Sequence, residues 1–392
     1  MPAKLLRCRV VPALFLLCIF PIAAMAGSTP SYVVTNDDSP GFFPVSATFY
    51  GVGSTGLLTL DKFVTLTGSG IAGGYFNANR VVALNSSNNQ CIFASAAANG
   101  EITGISVSTL EIGGSATGSS SDTGLSNGVG LAVNNQYLYA GYTDSSNIGT
   151  FQVQSGCSLT FISDVATTGL QGGFISGMKI HGNMMVVTYG DGSIESFNIA
   201  NGPPVPNGDQ QNSTAYNTSQ GASYPNGVDI TQDGHFAIFG DTATSNSIEV
   251  SDISSGKLAA TVAYNVGAQI NSSNIMLSPD ETLLYIANTQ GDALTAAFFN
   301  ATTGALTPGC TSNNLKAYGT AWSYLAGIAT ETNTGTGGMI YAAEFGLKSS
   351  IAMIQVASAN GKCTLTESTK SPVFDPDSQG LLSITSFPPR SF

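Results

Sequence analysis

Two stretches decide the fold: Asn226–Gly240, NGVDITQDGHFAIFG, and Asn274–Asn288, NIMLSPDETLLYIAN. Each is a short apolar run, a polar turn, then a stronger run of β-branched and aromatic residues, the pattern of two strands joined by a turn. The unit recurs, with openings near Arg80, Gly128, Gly177, Gly227, Asn274, Gly327 and Gly380, 47 to 53 residues apart. A polar loop and a third strand follow, as in Ile194–Ile199 and Ile248–Ile253, then a Gly-bearing turn and a weaker fourth strand such as Gly256–Val262. Repeats of this length suit propeller blades, and no window sustains a helical period. The sequence therefore predicts an all-β chain, a seven-bladed β-propeller of four-stranded antiparallel blades.

The chain ends sharpen that prediction. Tyr32–Asn36, YVVTN, has the character of a second strand, whereas Leu381–Thr385, LLSIT, has that of a lone first strand. Paired in one sheet they would close the ring and remove the exposed edges that an open ring leaves. One repeat is irregular: residues 200–225 are rich in Pro, Asn, Gln, Ser and Gly, and the fourth strand there is weak or missing. A connection that long is either a functional loop or a tolerated surface insertion.

Residues 1–26 have the form of a secretory signal: Lys4, Arg7 and Arg9, an apolar run over Val10–Ile22, and Ala24-Met25-Ala26 before Gly27. Residues 27–392 then form a single propeller domain, secreted or periplasmic, with no membrane span after cleavage. Cleavage would leave nine basic residues against 24 acidic ones. Phosphate backbones and anionic lipid surfaces attract clustered cations, and the sequence has no such cluster, which excludes nucleic acid as a partner. Cys91, Cys157, Cys310 and Cys363 survive cleavage, an even number that suggests two disulfides in an oxidising compartment. Spacing leaves three pairings open, and buried thiols are the alternative.

The runs Tyr32–Asn36 and Tyr285–Asn288, with the Ser278-Pro-Asp-Glu turn, resemble the YVTN repeats of bacterial and archaeal propellers. The wider resemblance, over about Ser31 to Pro388, is to the lactonase-like seven-bladed propellers, which include 6-phosphogluconolactonase-type and muconate-cyclising enzymes. It implies a site at one mouth of the central channel, built from His, Glu and Arg. That mouth belongs to the upper face, which carries the second-to-third-strand turns and the between-blade loops.

Six upper turns carry an acidic residue: Asp37 or Asp38, Asp144, Asp191, Asp241, Asp292 and Glu344, with Asn99 in the seventh. A ring of oxygens, with Asp144, Asp191, Asp241 and Asp292 the nearest candidates, could hold Ca²⁺ or another divalent metal; Asp as an ordinary turn residue is the competing explanation. Tyr75, Phe76, Phe174, Tyr224, Tyr264, Tyr318, Trp322 and Tyr324 fall in between-blade loops, where aromatic rings either stack on a ligand or seal the seams. Lys179 and Asp229 occupy matching positions on neighbouring first strands, which predicts an ion pair lining the channel. Arg80 is the one channel-side arginine expected. Trp322, Tyr324, Phe174, Tyr224, Arg80, Lys179 and Asp229 are thus the ligand-binding candidates.

Chemistry is harder to place. His181 and His235, the only histidines, fall in first-to-second-strand turns on the opposite, lower face. Gly124–Gly128, GLSNG, matches a nucleophile-elbow pattern but precedes a strand where the elbow needs a helix. No lactonase catalytic set carries over residue by residue. The sequence favours a module that binds a small molecule, carbohydrate or protein on its upper face. The alternative is a lactonase-type hydrolase or cyclase that works through carboxylates, with or without a metal.

Overall fold

The computed structural model describes residues 31–37, 45–70, 79–119, 129–213, 225–241, 247–267, 272–288, 293–313, 315, 324–330, 338–345, 349–374 and 381–390. Within them the chain forms seven antiparallel sheets. Blades are numbered from the first complete one. Their innermost strands are Val81–Asn85, Val129–Val133, Ile175–His181, Pro225–Ile230, Ser272–Leu277, Tyr324–Thr330 and Leu381–Phe387. Each innermost strand touches the next, and the seventh touches the first, so the ring is closed.

Closure uses both chain ends, as the sequence predicts. Tyr32–Asp37 pairs with Leu381–Phe387 on one side, from Tyr32↔Phe387 to Asp37↔Leu381, and with Ser46–Val52 on the other. Leu58–Thr65 completes blade 7. The join is thus a row of ladder hydrogen bonds inside one sheet rather than a contact between two free edges.

The core is seven seams, not one centre. Each cluster of buried apolar residues lies between two consecutive blades. Ile238, Leu277 and Leu284 pack between blades 4 and 5, and Val34, Phe49, Val81 and Ile92 between blades 7 and 1. Second strands such as Leu283–Asn288 are buried along their whole length because both faces of a blade meet a neighbour. Tyrosines on these strands reach across the seams. The Tyr139 hydroxyl of blade 2 donates to the Gly202 carbonyl of blade 3 at 2.8 Å, and Tyr341 of blade 6 does the same to Gly56 of blade 7.

Two disulfides join neighbouring blades: Cys91–Cys157 between blades 1 and 2, and Cys310–Cys363 between blades 5 and 6. They resolve the pairing that spacing leaves open. The irregular repeat is also resolved over its first half. The fourth strand of blade 3 is not missing but split: Val205–Pro206 and Gln211–Asn212 each pair with Ser193–Asn198. Asp209, at the bend between them, accepts from the Ser196 amide and hydroxyl and from the Leu258 amide of blade 4. That part of the insertion is therefore built into the blade 3–4 seam.

Candidate functional site

Three of the described upper turns, those of Asp37, Asp191 and Glu344, bury their carboxylates against nearby donors. Asp191 follows Tyr189-Gly190 at the end of a strand and is 6% exposed. One of its oxygens accepts from the Gln171 and Gly173 amides at 2.7 and 3.0 Å. The other accepts from the amide and hydroxyl of Ser193. Burial works to raise its pKa, but these four donors outweigh it and hold the carboxyl below 3.8. The result is a staple that pins the loop between blades 2 and 3 onto the turn of blade 3. Gly173 is required beside it, since a Cβ there would lie 2.5 Å from the Asp191 amide nitrogen. Phe174, half-buried, lays its ring across Gly190 in the same loop.

Two other upper carboxylates behave alike. Asp37 is buried and accepts from the hydroxyls of Ser46 and Thr48. Glu344 is buried against the Ser350 hydroxyl. Just below, Glu195 accepts from Tyr189 at 2.8 Å and from Thr167 at 3.2 Å. Burial there wins over the hydrogen bonds and pushes its carboxyl above 4.5. Asp144 is exposed at its turn. Asp241 ends the second strand of blade 4, paired with Pro225, and its side chain lies outside the described residues, as does all of Asp292. Among the described residues no three His, Cys, Asp or Glu come close enough to hold a metal.

Arg80 enters blade 1 fully buried, and its amide donates to Ser383 of the closing strand at 3.0 Å. Trp322 and Tyr224 lie outside the described residues. Tyr324 opens the innermost strand of blade 6 opposite Phe345, with its side chain likewise outside them. Tyr264 is not in a between-blade loop but in the fourth strand of blade 4, opposite Ile248, because that strand runs to Asn265.

Among the described residues the lower mouth holds the densest charge cluster. Lys179 Nζ lies 3.0 Å from Asp229 Oδ1, so the register argument from two first strands finds its pair. It missed a third member. Arg390, three residues past the closing strand, sets Nη1 2.9 Å from Asp229 Oδ2 and Nη2 2.5 Å from Glu281. Arg390 also donates to the carbonyls of Leu277 and Ile230. Arg80 is thus not the only arginine at the channel. Blade 7 stands across the ring from blade 4, so the tail spans the lower mouth and fastens blades 4 and 5. Asp229 is 1% exposed, and burial works to raise its pKa. Lys179, Arg390 and the Leu277 amide overcome that and hold it below 3.8. His181 contacts the Gln232 carbonyl at 3.0 Å, and His235 lies 3.1 Å from Asp233, both on this lower face.

Comparison with known proteins agrees with this architecture. A sequence model of the lactonase, seven-bladed β-propeller family matches residues 91–376, most of the chain. The chain belongs to that family. No curated protein matches it in sequence. Among solved structures, the periplasmic gluconolactonase PpgL of Pseudomonas aeruginosa superposes with TM-score 0.62 at 11% identity, over 91% of this chain and 99% of that one. A Bacteroides fragilis protein, provisionally assigned as a 6-phosphogluconolactonase, gives 0.61 at 14%, over 92% and 99%. A protein of unknown function from Desulfotomaculum acetoxidans gives 0.60 at 15%, over 90% and 98%. Identities this low establish a shared fold and leave activity open. In this chain Asp191 is spent on a loop staple above, and Lys179, Asp229, Glu281 and Arg390 on an ionic strap below.

Proposed function

We propose that this lactonase-family propeller is an exported ligand-binding protein whose site is the upper mouth of the channel, walled by the loops of Phe174, Tyr224, Trp322 and Tyr324. The observation that carries the reading is Asp191. Its two oxygens already serve four donors of its own loops, which leaves it placed to shape a mouth rather than to activate water. Both histidines face the other way. Export fits the signal-like residues 1–26 and the two disulfides, which persist in oxidising compartments. The ligand is a small molecule, carbohydrate or protein segment with a flat apolar face that aromatic loops can cover.

Family membership favours a second reading, lactone hydrolysis at the same mouth, with Ca²⁺ or another divalent ion held by the turns of Asp144, Asp241 and Asp292. One experiment separates the two. Trp322 is the sole tryptophan, so on this reading its fluorescence reports the upper mouth. Titration with glucono-δ-lactone should change Trp322 emission without hydrolysis above the buffer rate if the mouth only binds. Turnover by the wild type that disappears in an Asp191→Asn, Asp241→Asn double variant would establish the hydrolase instead. Melting in Ca²⁺ against EDTA tests the ion, because a ligand held only by the native state raises the melting temperature.

A further inference from the structure

The lower face carries a second, unlike surface. Between blades 1 and 2 lies a cleft of about 630 Å³, walled by the first-to-second-strand turns of both blades and by the end of a third strand of blade 2. No residue of its lining is charged. Ser87, Asn88, Asn135, Gln136 and Gln152 face it with amides and a hydroxyl, and Tyr137 supplies an aromatic ring. Among the described first-to-second-strand turns, the carboxylates lie elsewhere, in blades 4 and 5 at Asp233, Asp280 and Glu281.

The backbone under the cleft is held firmly while these side chains are not. In the blade 1 turn the Asn89 amide donates to the Ser86 hydroxyl, which donates back to the Asn89 carbonyl. In the blade 2 turn Asn134 accepts from the amides of Gln136 and Tyr137. The disulfide Cys91–Cys157 ties the two walls together, and Cys157 Sγ sits 3.6 Å from the Gln90 carbonyl. By contrast the side chains of Ser87, Asn88, Asn135, Gln136 and Gln152 have no hydrogen-bond partner among the described residues. Asn89 Oδ1 is shielded and accepts nothing. A buried acceptor without a donor is unfavourable, and a hydroxyl-bearing ligand can supply one once the amide turns outward.

We propose that this cleft binds a neutral polyhydroxylated ligand, a sugar chain, independently of the upper mouth. Amides carry both donors and acceptors, which matches hydroxyls that are themselves both. An ion entering here would lose water without gaining a counter-charge, so the uncharged lining selects against charged ligands. Tyr137 offers a flat apolar surface for a pyranose face, and walls joined by a covalent bond lower the cost of ordering the site.

The test is calorimetric titration of the full chain with cellotetraose and with chitotetraose, with tetragalacturonate as the charged control. A neutral tetrasaccharide should bind. An Asn135→Ala, Gln152→Ala double variant should bind it at least about tenfold more weakly, as expected for two lost hydrogen bonds. Its melting temperature and its Trp322 response to an upper-mouth ligand should be unchanged. Asn88→Phe, which fills the cleft, should abolish binding. No binding of either neutral sugar, equal binding by the double variant, or preference for tetragalacturonate would overturn the proposal. Loss of the Trp322 response with sugar binding intact would instead count against the upper-mouth reading alone.

Discussion

The two halves of the lower face solve the same problem with different chemistry. Around blades 3 to 5 the seams are fastened by charge: Lys179, Asp229, Arg390 and Glu281 link three blades and the C-terminal tail. Between blades 1 and 2 the fastening is covalent, through Cys91–Cys157, and the surface above it carries uncommitted amides. A buried carboxylate with two cations is structurally demanding, because any one partner removed strands the others. A disulfide makes no such demand on its surroundings. The lesson is that a seam held covalently can leave its surface side chains for a ligand, whereas a seam held by ions has already used them.

That contrast can be broken by substitution. Asp229→Ala leaves Lys179 and Arg390 facing each other across the lower mouth. Denaturant unfolding should show a loss of about 3–5 kcal/mol, the range for removing one partner of a buried ion cluster. A loss under about 1 kcal/mol would mean that the cluster is solvated and the strap idle. Replacing Cys91 and Cys157 together by Ser should cost about 2–4 kcal/mol. Reductant should cost the wild type more than that, since it also opens Cys310–Cys363, and should cost the variant only the share of that second bridge. Arg390→Ala removes the tail's grip but leaves Lys179 on Asp229, so about 1–3 kcal/mol is expected. Asn135→Ala with Gln152→Ala should stay within about 0.5 kcal/mol, as exposed side chains without partners do.

Acid sharpens the comparison further. Asp229 and Asp191 have folded pKa values below their unfolded ones, so the stability they contribute is complete above about pH 4. It is lost as pH falls through the folded values. Glu195 is shifted the other way. Its protonated form is favoured in the fold, so its contribution is present in acid and lost as pH rises through its folded value. Unfolding followed from pH 6 to pH 2 should therefore show an acid loss that is shallower in Asp229→Asn. The slope of the Cys91, Cys157 double variant should match the wild type, since neither a disulfide nor a pair of serines exchanges protons there.

Much of this was legible in the sequence. The YVVTN and LLSIT ends announced their pairing because a second strand without a first, and a first without a second, complete each other. Lys179 and Asp229 were found by register, since matching positions on neighbouring first strands must converge at the channel. Arg390 was not, because it lies beyond the last repeat and no periodicity says where a tail turns. Asp191 looked like a metal ligand for a related reason. An aspartate in a turn is equally suited to a cation and to amides, and only the fold brought Gln171 and Gly173 to it. Pro and Gly in 200–225 hid a fourth strand that is present in two short pieces. The amide cleft had no motif at all; it arises where two turns of unrelated sequence meet.

The account's central claim is that the buried carboxylates of the described upper turns, Asp191 first among them, are spent on structure. Urea unfolding of Asp191→Asn tests it most directly. The Asn amide group must then face the amides of Gln171 and Gly173 or those of Ser193, so a loss of about 2 kcal/mol is predicted. An unchanged midpoint would contradict the claim and return Asp191 to the pool of groups available for chemistry.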